Sequence, residues 1–148
     1  MSVPTEIEFA RIKIGDGDTP EVFNLICGLE NVTINETVAT SDRGVRDCAT
    51  PNAVPNRKVK VTLRQTDVTG SGLSNADEIE GLRAALGKSG NYRIECYADN
   101  GTDAGELLGT YAGPFVMTAS NLNLTQEGAA SAEITLASNG AVTYTPAP

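Results

Sequence analysis

The chain contains no histidine and no tryptophan among its 148 residues. Histidine is the commonest general base and a frequent metal ligand, so its absence excludes Ser-His-Asp and Cys-His catalysis and imidazole metal sites. Chemistry by paired carboxylates stays open, because 19 acidic residues are present. Because the commonest catalytic and metal-binding side chain is missing, we nevertheless expect a protein that is not an enzyme and that uses no metal ion and no cofactor.

A disulfide framework and a membrane-spanning segment are also missing. Cys27, Cys48 and Cys96 are odd in number and widely spaced, without a C-x-x-C pair, so we expect three free thiols. Cys27 and Cys96 fall in strand-like runs and should be buried, whereas Cys48 should be exposed. No apolar run approaches the ~20 residues that span a bilayer, and residues 1–6 lack the features of a signal peptide. We expect no membrane partner, and synthesis and assembly in a cytoplasm.

The residues that are abundant favour β structure. Gly, Thr and Asn are frequent, a composition typical of strands joined by many turns. The length fits one domain over residues 1–148. The sequence therefore predicts a single, mainly β domain.

A long hairpin over residues 31–65 is the most strongly patterned stretch. Apolar and polar residues alternate in both of its arms, which is the pattern of a half-buried strand. One face carries Val32, Ile34 and Val38 on the first arm and Val59, Val61 and Leu63 on the second. The other carries Thr33, Asn35 and Thr37, then Lys58, Lys60, Thr62 and Arg64. Residues 40–57 show no sustained period, so a long loop is predicted there.

Charge is unevenly divided between this hairpin and the rest of the chain. Residues 42–64 hold six basic and two acidic residues, a net +4, and the remainder holds five against seventeen, a net −12. Together they give the total of −8. A basic hairpin on an acidic body can attract another copy, which makes self-assembly one interpretation. The other is a solvated polar face with a flexible tip.

The remaining segments predict one helix among strands. Residues 75–86 should form it, with Ile79, Leu82 and Leu86 as an apolar stripe against a sheet. Residues 15–20 form a turn, and residues 66–72 are predicted to be a linker of turn residues. Residues 107–119 should give one or two strands interrupted at Gly113–Pro114.

This order of parts resembles the major tail tube proteins of long-tailed bacteriophages and gene transfer agents. The resemblance rests on the hairpin with its loop at 40–57, the helix at 75–86, and the ending EGAASAEITLASNGAVTY at 127–144. It implies a β-sandwich or partial barrel with one flanking helix and a long hairpin loop. It further implies that six copies form rings, which stack into the tail tube of a virion.

The resemblance also implies partners and contact residues. The partners would be further copies of the chain, the tail terminator, and the distal tail and tip proteins. Tape-measure protein and DNA would pass through the lumen without sequence-specific binding. Candidates for the contact between rings are Arg43, Arg46, Asp47 and Arg57. Candidates for the inner barrel are Thr33, Asn35, Thr37, Lys58, Lys60, Thr62 and Arg64.

Two other functions stay open from the sequence. A β-sandwich binding or adhesion module, such as a head–tail connector or a decoration protein of a virion, would use the long loop as its binding site. A small carboxylate-dependent hydrolase would need two acids at a suitable separation, which nothing in the sequence fixes. The charge of a channel is open too, because acids would let DNA slide, whereas Lys58, Lys60 and Arg64 would bind its phosphates.

Overall fold

The computed structural model describes residues 3–18 and 20–148 as eight strands and one short helix. Met1 and Ser2 of the N-terminal segment, and Thr19 of the predicted turn, lie outside the described residues. The strands are β1 (Phe9–Gly15), β2 (Phe23–Leu25), β3 (Leu29–Val45), β4 (Asn56–Leu73), β5 (Ser89–Ala98), β6 (Glu106–Asn123), β7 (Ser131–Ser138) and β8 (Thr143–Pro146). A 3-10 turn (Ala76–Glu78) leads into helix α1 (Ile79–Ala85).

The strands form one open antiparallel sheet in the order β2-β1-β5-β6-β7-β4-β3, with β8 paired to β6. The sheet curls until β1 packs against β3, although no ladder joins these two strands in the described chain. The mainly β fold with one flanking helix is thus confirmed, and it takes the form of a partial barrel.

The core fills the inside of this curl. Nearly every long strand sends one face to it, and eight side chains are fully buried: Ile12, Val68, Tyr92, Ile94, Phe115, Met117, Ile134 and Leu136. Packing across the barrel is close, because a Cβ added at Gly70 of β4 would stand 2.6 Å from Cδ1 of Ile12. Glycine at this position lets two strands approach through the core.

The predicted linker at 66–72 is wrong, because this segment is the inner half of β4. It pairs with β3 on one side and with β7 on the other. Val68 is fully buried there, and Gly70 and Gly72 stand where neighbouring groups leave no room for a Cβ. The glycines that suggest turns in the sequence serve close packing instead.

The predicted interruption at Gly113–Pro114 is also wrong, because β6 is continuous through it. Pro114 pairs with Asn91 of β5, and its carbonyl accepts a hydrogen bond from Asn139 N at 2.9 Å on the opposite side. On that side β8 starts at Thr143, opposite Ala112, and β7 ends at Ser138, opposite Phe115. The proline nitrogen faces this gap, so its missing N–H costs no ladder bond.

The helical segment is shorter than predicted. The Asn75 side chain caps it by accepting a hydrogen bond from Asp77 N at 3.1 Å, but α1 ends at Ala85 because Leu86 is extended. Of the predicted apolar stripe, Leu82 packs against the core, whereas Ile79 and Leu86 stay exposed. Within the described residues, no helix has the length and apolar character needed to cross a membrane.

All three cysteines are free. Cys96 is buried in β5 and Cys48 is exposed, as expected, but the prediction that Cys27 is buried is wrong. Strand β2 ends at Leu25, so Cys27 lies in the turn before β3.

Candidate assembly site

The outer half of the β3–β4 hairpin leaves the body as a two-stranded ribbon, which we call the arm (residues 36–65). From Thr37–Gln65 to Val45–Asn56 its strands pair only with each other, because β7 joins β4 no further out than Asp67. Every residue of the arm is exposed. At about 3.3 Å per residue, the paired part extends about 30 Å.

The predicted loop at 40–57 needs correction. Residues 40–45 and 56–57 continue the ladder, so only residues 46–55, the tip loop, lie outside it. The sequence shows no period here because both faces of the ribbon meet solvent, and nothing selects apolar residues on one side.

A β-bulge at Thr62 divides the arm. Ala39 pairs with Leu63 and Thr40 pairs with Val61, which leaves Thr62 as an extra residue on β4. Its hydroxyl donates a hydrogen bond to Ala39 O at 3.1 Å. One extra residue reverses the faces of the strand that carries it. Leu63 and Val61 therefore lie on opposite faces, whereas the alternation predicted that they share one.

One side of the arm, the valine face, presents Val38, Val59 and Val61. It continues the face of β3 that carries Ile34 into the core. The predicted burial of this face holds for Val32 and Ile34, which pack against the core, but it is wrong for Val38, Val59 and Val61, which are 53%, 48% and 50% exposed. Exposed β-branched side chains on both strands form an apolar surface that the body leaves uncovered.

The opposite side, the basic face, presents Arg43, Lys58 and Lys60. Arg43 stands directly opposite Lys58, and Lys60 stands opposite Ser41. Like charges in direct cross-strand register destabilise a sheet. Among the described residues the arm makes one ion pair, Arg57 Nη1 to Asp42 Oδ2 at 3.9 Å on the other side. The basic face therefore carries charge without an acidic partner from the described chain.

The seven candidates for an inner barrel do not all share a face. Thr33, Asn35 and Thr37 alternate with the core residues of β3, and the ladder places Lys58 and Lys60 on their side. Arg64 pairs with Val38 and so belongs to the valine face, and Thr62 occupies the bulge. Both departures follow from the extra residue, for which the sequence shows no signal.

The four candidates for contact between rings lie in the outer arm, where two of them hold the tip loop. Arg46 Nη1 donates hydrogen bonds to Pro51 O at 3.0 Å and to Ala53 O at 3.5 Å. Asp47 Oδ1 accepts one from Ala49 N at 2.9 Å. Arg43 lies on the basic face, and Arg57 lies beside Asp42. The tip loop is thus closed by its own side chains.

The body carries an apolar depression at the end of the sheet away from the arm, which we call the α1 groove. It measures about 300 Å³ and is lined by Asn75, Ile79, Leu82, Arg83, Leu86, Ser120, Asn121, Leu122 and Ala132. The exposed carboxylates of Asp77 and Glu80 belong to the same helical segment. The periodicity of the helix indicates Ile79, Leu82 and Leu86 in advance. Only the register of β6 and β7 adds Leu122 and Ala132.

The arm and the α1 groove are both suited to contact with another protein. Among the described residues no group of three His, Cys, Asp or Glu side chains converges as a metal site. The arm offers exposed valines on one side and Arg43, Lys58 and Lys60 on the other, and the groove offers an apolar floor along a helical segment that also carries exposed carboxylates. Such surfaces make apolar and ionic contacts with another protein.

Comparison with known proteins gives a family and a fold. The family described as phage tail tube protein matches residues 11–144. A comparison with curated protein sequences finds no significant match.

Three solved structures illustrate the shared fold. A chain from the virion of a native gene transfer agent particle is 23% identical with a TM-score of 0.65, covering 92% of this chain and 95% of that one. A chain from the tail of an empty gene transfer agent particle, refined with C6 symmetry, is 24% identical with a TM-score of 0.64, covering 91% and 94%. The SPP1 tail tube is 13% identical with a TM-score of 0.61, covering 97% and 80%. At these identities the likeness establishes the fold.

Proposed function

Because this chain belongs to the phage tail tube protein family, a family of structural subunits of virion tails, we propose that six copies form a ring and that rings stack through the arm. The arm is the observation that carries this proposal. It projects about 30 Å from the body, all of its residues are exposed, and its basic face lacks an acidic partner in the described chain. Further copies would cover the valine face and bring acids to the outer end of the arm.

Ring closure follows from the free edges of the sheet. Both outer edges of the arm carry unpaired N–H and C=O groups, because β7 leaves β4 at Asp67 and β3 pairs with β4 alone. Exposed edges of this kind invite pairing with another chain, and closure into a barrel removes them. Neighbouring copies would therefore pair arm to arm around a channel.

Stacking follows from the charges at the end of the arm. Arg43, Arg46, Asp47 and Arg57 would contact the acidic body of a copy in the next ring. A contact between different surfaces that does not close on itself builds a filament. The basic arm and the acidic body form such a pair.

The polar face with Thr33, Asn35, Thr37, Lys58 and Lys60 would line the channel. The ladder adds Asp67 and Glu133 to this face, through their pairing with Asn35 and Ser71. Acids on the same face as the two lysines would lower the net attraction of that face for phosphates, so DNA could slide without adhering. Arg64, on the valine face, would contact a neighbouring subunit, and Thr62 would shape the inner barrel through its bulge.

Assembly would take place in the host cytoplasm. There the tube would meet tail terminator, tip and tape-measure proteins, and the finished tube would conduct DNA. Chains from a sheath/tube terminator and from a tube-terminating cap have the same fold, which supports terminator contacts at the tube end.

Replacement of the tip loop tests the role of the arm. Residues 46–55 would be replaced by Asn-Gly, which closes the Val45–Asn56 pair with a two-residue turn. The variant should keep the unfolding midpoint of the parent yet form no tubes, as seen by negative-stain electron microscopy.

A matched control shortens the loop at 99–105 in the same way, because Ala98 and Glu106 also form a ladder pair. This control should assemble like the parent, which should give hollow rings or tubes. Normal tubes from the tip-loop variant, or monomers of the parent even with tail-tip complexes added, would contradict the proposal.

A further inference from the structure

We propose that the α1 groove receives the arm of a second copy, with the valine face of the arm against the apolar floor of the groove. The inference rests on the proposed function and names the surface that the arm contacts. It starts from two apolar surfaces that the subunit leaves exposed.

The groove is the first of these surfaces. Ile79, Leu86 and Leu122 converge on it and are 39%, 43% and 42% exposed, while Leu82 forms its buried side. Clustered apolar side chains of this kind mark interaction sites on soluble proteins.

The valine face is the second surface. Val59 and Val61 stand two residues apart on β4 and are about half exposed. They alternate along β4 with Lys58 and Lys60, so the two lysines lie on the other face of the arm. The valine face also carries Arg57 and Arg64, but Val59 and Val61 can be buried while Lys58 and Lys60 stay in water.

The positions of the two surfaces exclude the subunit's own arm as the occupant. Strand β4 starts at the tip loop and ends at Leu73, and the capping residue Asn75 of the groove follows two residues later. The 18 residues of β4 span about 55 Å. Arm and groove thus lie at opposite ends of one strand, and a second copy displaced along that strand brings them together, head to tail.

Charges agree with this pairing. The segment 42–64 carries +4, and the helical segment that forms one wall of the groove also holds the exposed carboxylates of Asp77 and Glu80. Arg83 is a cation in the groove lining. Asp42 lies on the valine face of the arm, opposite Val59, and can meet it. Complementary charges fix the register of such a contact.

Disulfide trapping between two variants tests the inference. Both carry Cys27→Ser and Cys48→Ser, which remove the exposed thiols. One adds Val61→Cys and the other Leu122→Cys, and the mixture is oxidised at concentrations that give oligomers. The matched control replaces Val61→Cys by Lys60→Cys, which lies on the opposite face of the arm. We expect at least about tenfold more mixed disulfide from Val61→Cys than from Lys60→Cys.

Electron microscopy of the same mixtures separates the two levels of failure. If tubes form but Val61→Cys gives no more mixed disulfide than Lys60→Cys, the groove assignment is wrong and the tail tube function still holds. Absence of both tubes and trapping would overturn both. As a second variant, Leu122→Asp should block tube growth while Leu124→Asp, 75% exposed and outside the groove lining, should not. Tubes from Leu122→Asp would likewise overturn the assignment.

Discussion

At the scale of single residues, the buried hydroxyl of Tyr92 departs from the usual rule that buried polar groups are paired. Tyr92 is 1% exposed and packs edge-on against Phe115, with ring centroids 6.1 Å apart. Its hydroxyl finds no hydrogen-bond partner among the described residues. Burial raises the pKa of this hydroxyl above its ordinary value of 10.0. The ring contributes packing, and the hydroxyl contributes a desolvation cost.

Tyr92→Phe should therefore leave stability at pH 7 unchanged or raise it by up to about 1 kcal/mol. The raised pKa means that folding favours the neutral hydroxyl, so its contribution is complete below pH 10.0 and is lost as pH rises through the folded-state pKa. Phe removes that alkaline loss. Urea unfolding of both proteins at pH 7 and at about pH 11 measures the effect.

Burial also raises the pKa of the Cys96 thiol. The parent and Tyr92→Phe both keep Cys96, so its share of the stability lost at high pH cancels when the two are compared. A loss of more than about 2 kcal/mol in Tyr92→Phe at pH 7 would show that the hydroxyl is paired after all.

At the scale of strands and helices, the sequence indicates elements well and their contacts poorly. The alternation of Val32 and Ile34 with polar residues predicts the inner face of β3, since burial on one face selects for it. The capping residue Asn75 and the leucine at 82 likewise predict the helix. The glycines of β4 and Pro114 led to the wrong predictions of a linker and of an interrupted strand. They are accommodated by contacts with strands that are distant in sequence. Bulges leave no local pattern, so the division of the arm into faces required the register.

Deletion of Thr62 tests the bulge at this scale. The pairs Ala39–Leu63 and Thr40–Val61 become consecutive, so every cross-strand partner is kept. The extra twist of the bulge is lost. We expect unchanged body stability, but an arm aimed differently and at least about tenfold slower tube growth, measured by light scattering.

Thr62→Val is the matched control, since it removes the hydrogen bond to Ala39 O but keeps the extra residue. It should grow tubes at close to the parental rate. Parental growth of the deletion variant would mean that the bulge does not set the direction of the arm.

At the scale of the whole molecule, charge separation organises the subunit. The basic segment 42–64 belongs to the arm, and the −12 of the remaining chain belongs mostly to the body. In the proposed contact between arm and body, opposite charges would attract copies over distances that salt shortens, from about 10 Å at 0.1 M to about 3 Å at 1 M. Charge therefore acts on association more than on folding.

Tube growth should slow several-fold between about 0.1 M and about 1 M salt, because steering of one copy to the next weakens. Light scattering at fixed protein concentration measures the rate. The double variant Lys58→Glu and Lys60→Glu should grow slowly at both salt concentrations. Parental growth that is equally fast at both would show that apolar contact alone controls addition.

The independence of the arm from the body has one more consequence. Between Thr37 and Gln65 its strands hold only each other, and a two-stranded ribbon in water is marginally stable. Its amides should exchange with solvent far faster than those of the barrel core, because the arm of a free subunit opens more often than the body. Joining the tube then holds the arm in its paired form, at a cost in conformational entropy for each added subunit. This cost slows the association of two free subunits more than the addition of one subunit to a tube end, where the receiving subunits are already ordered.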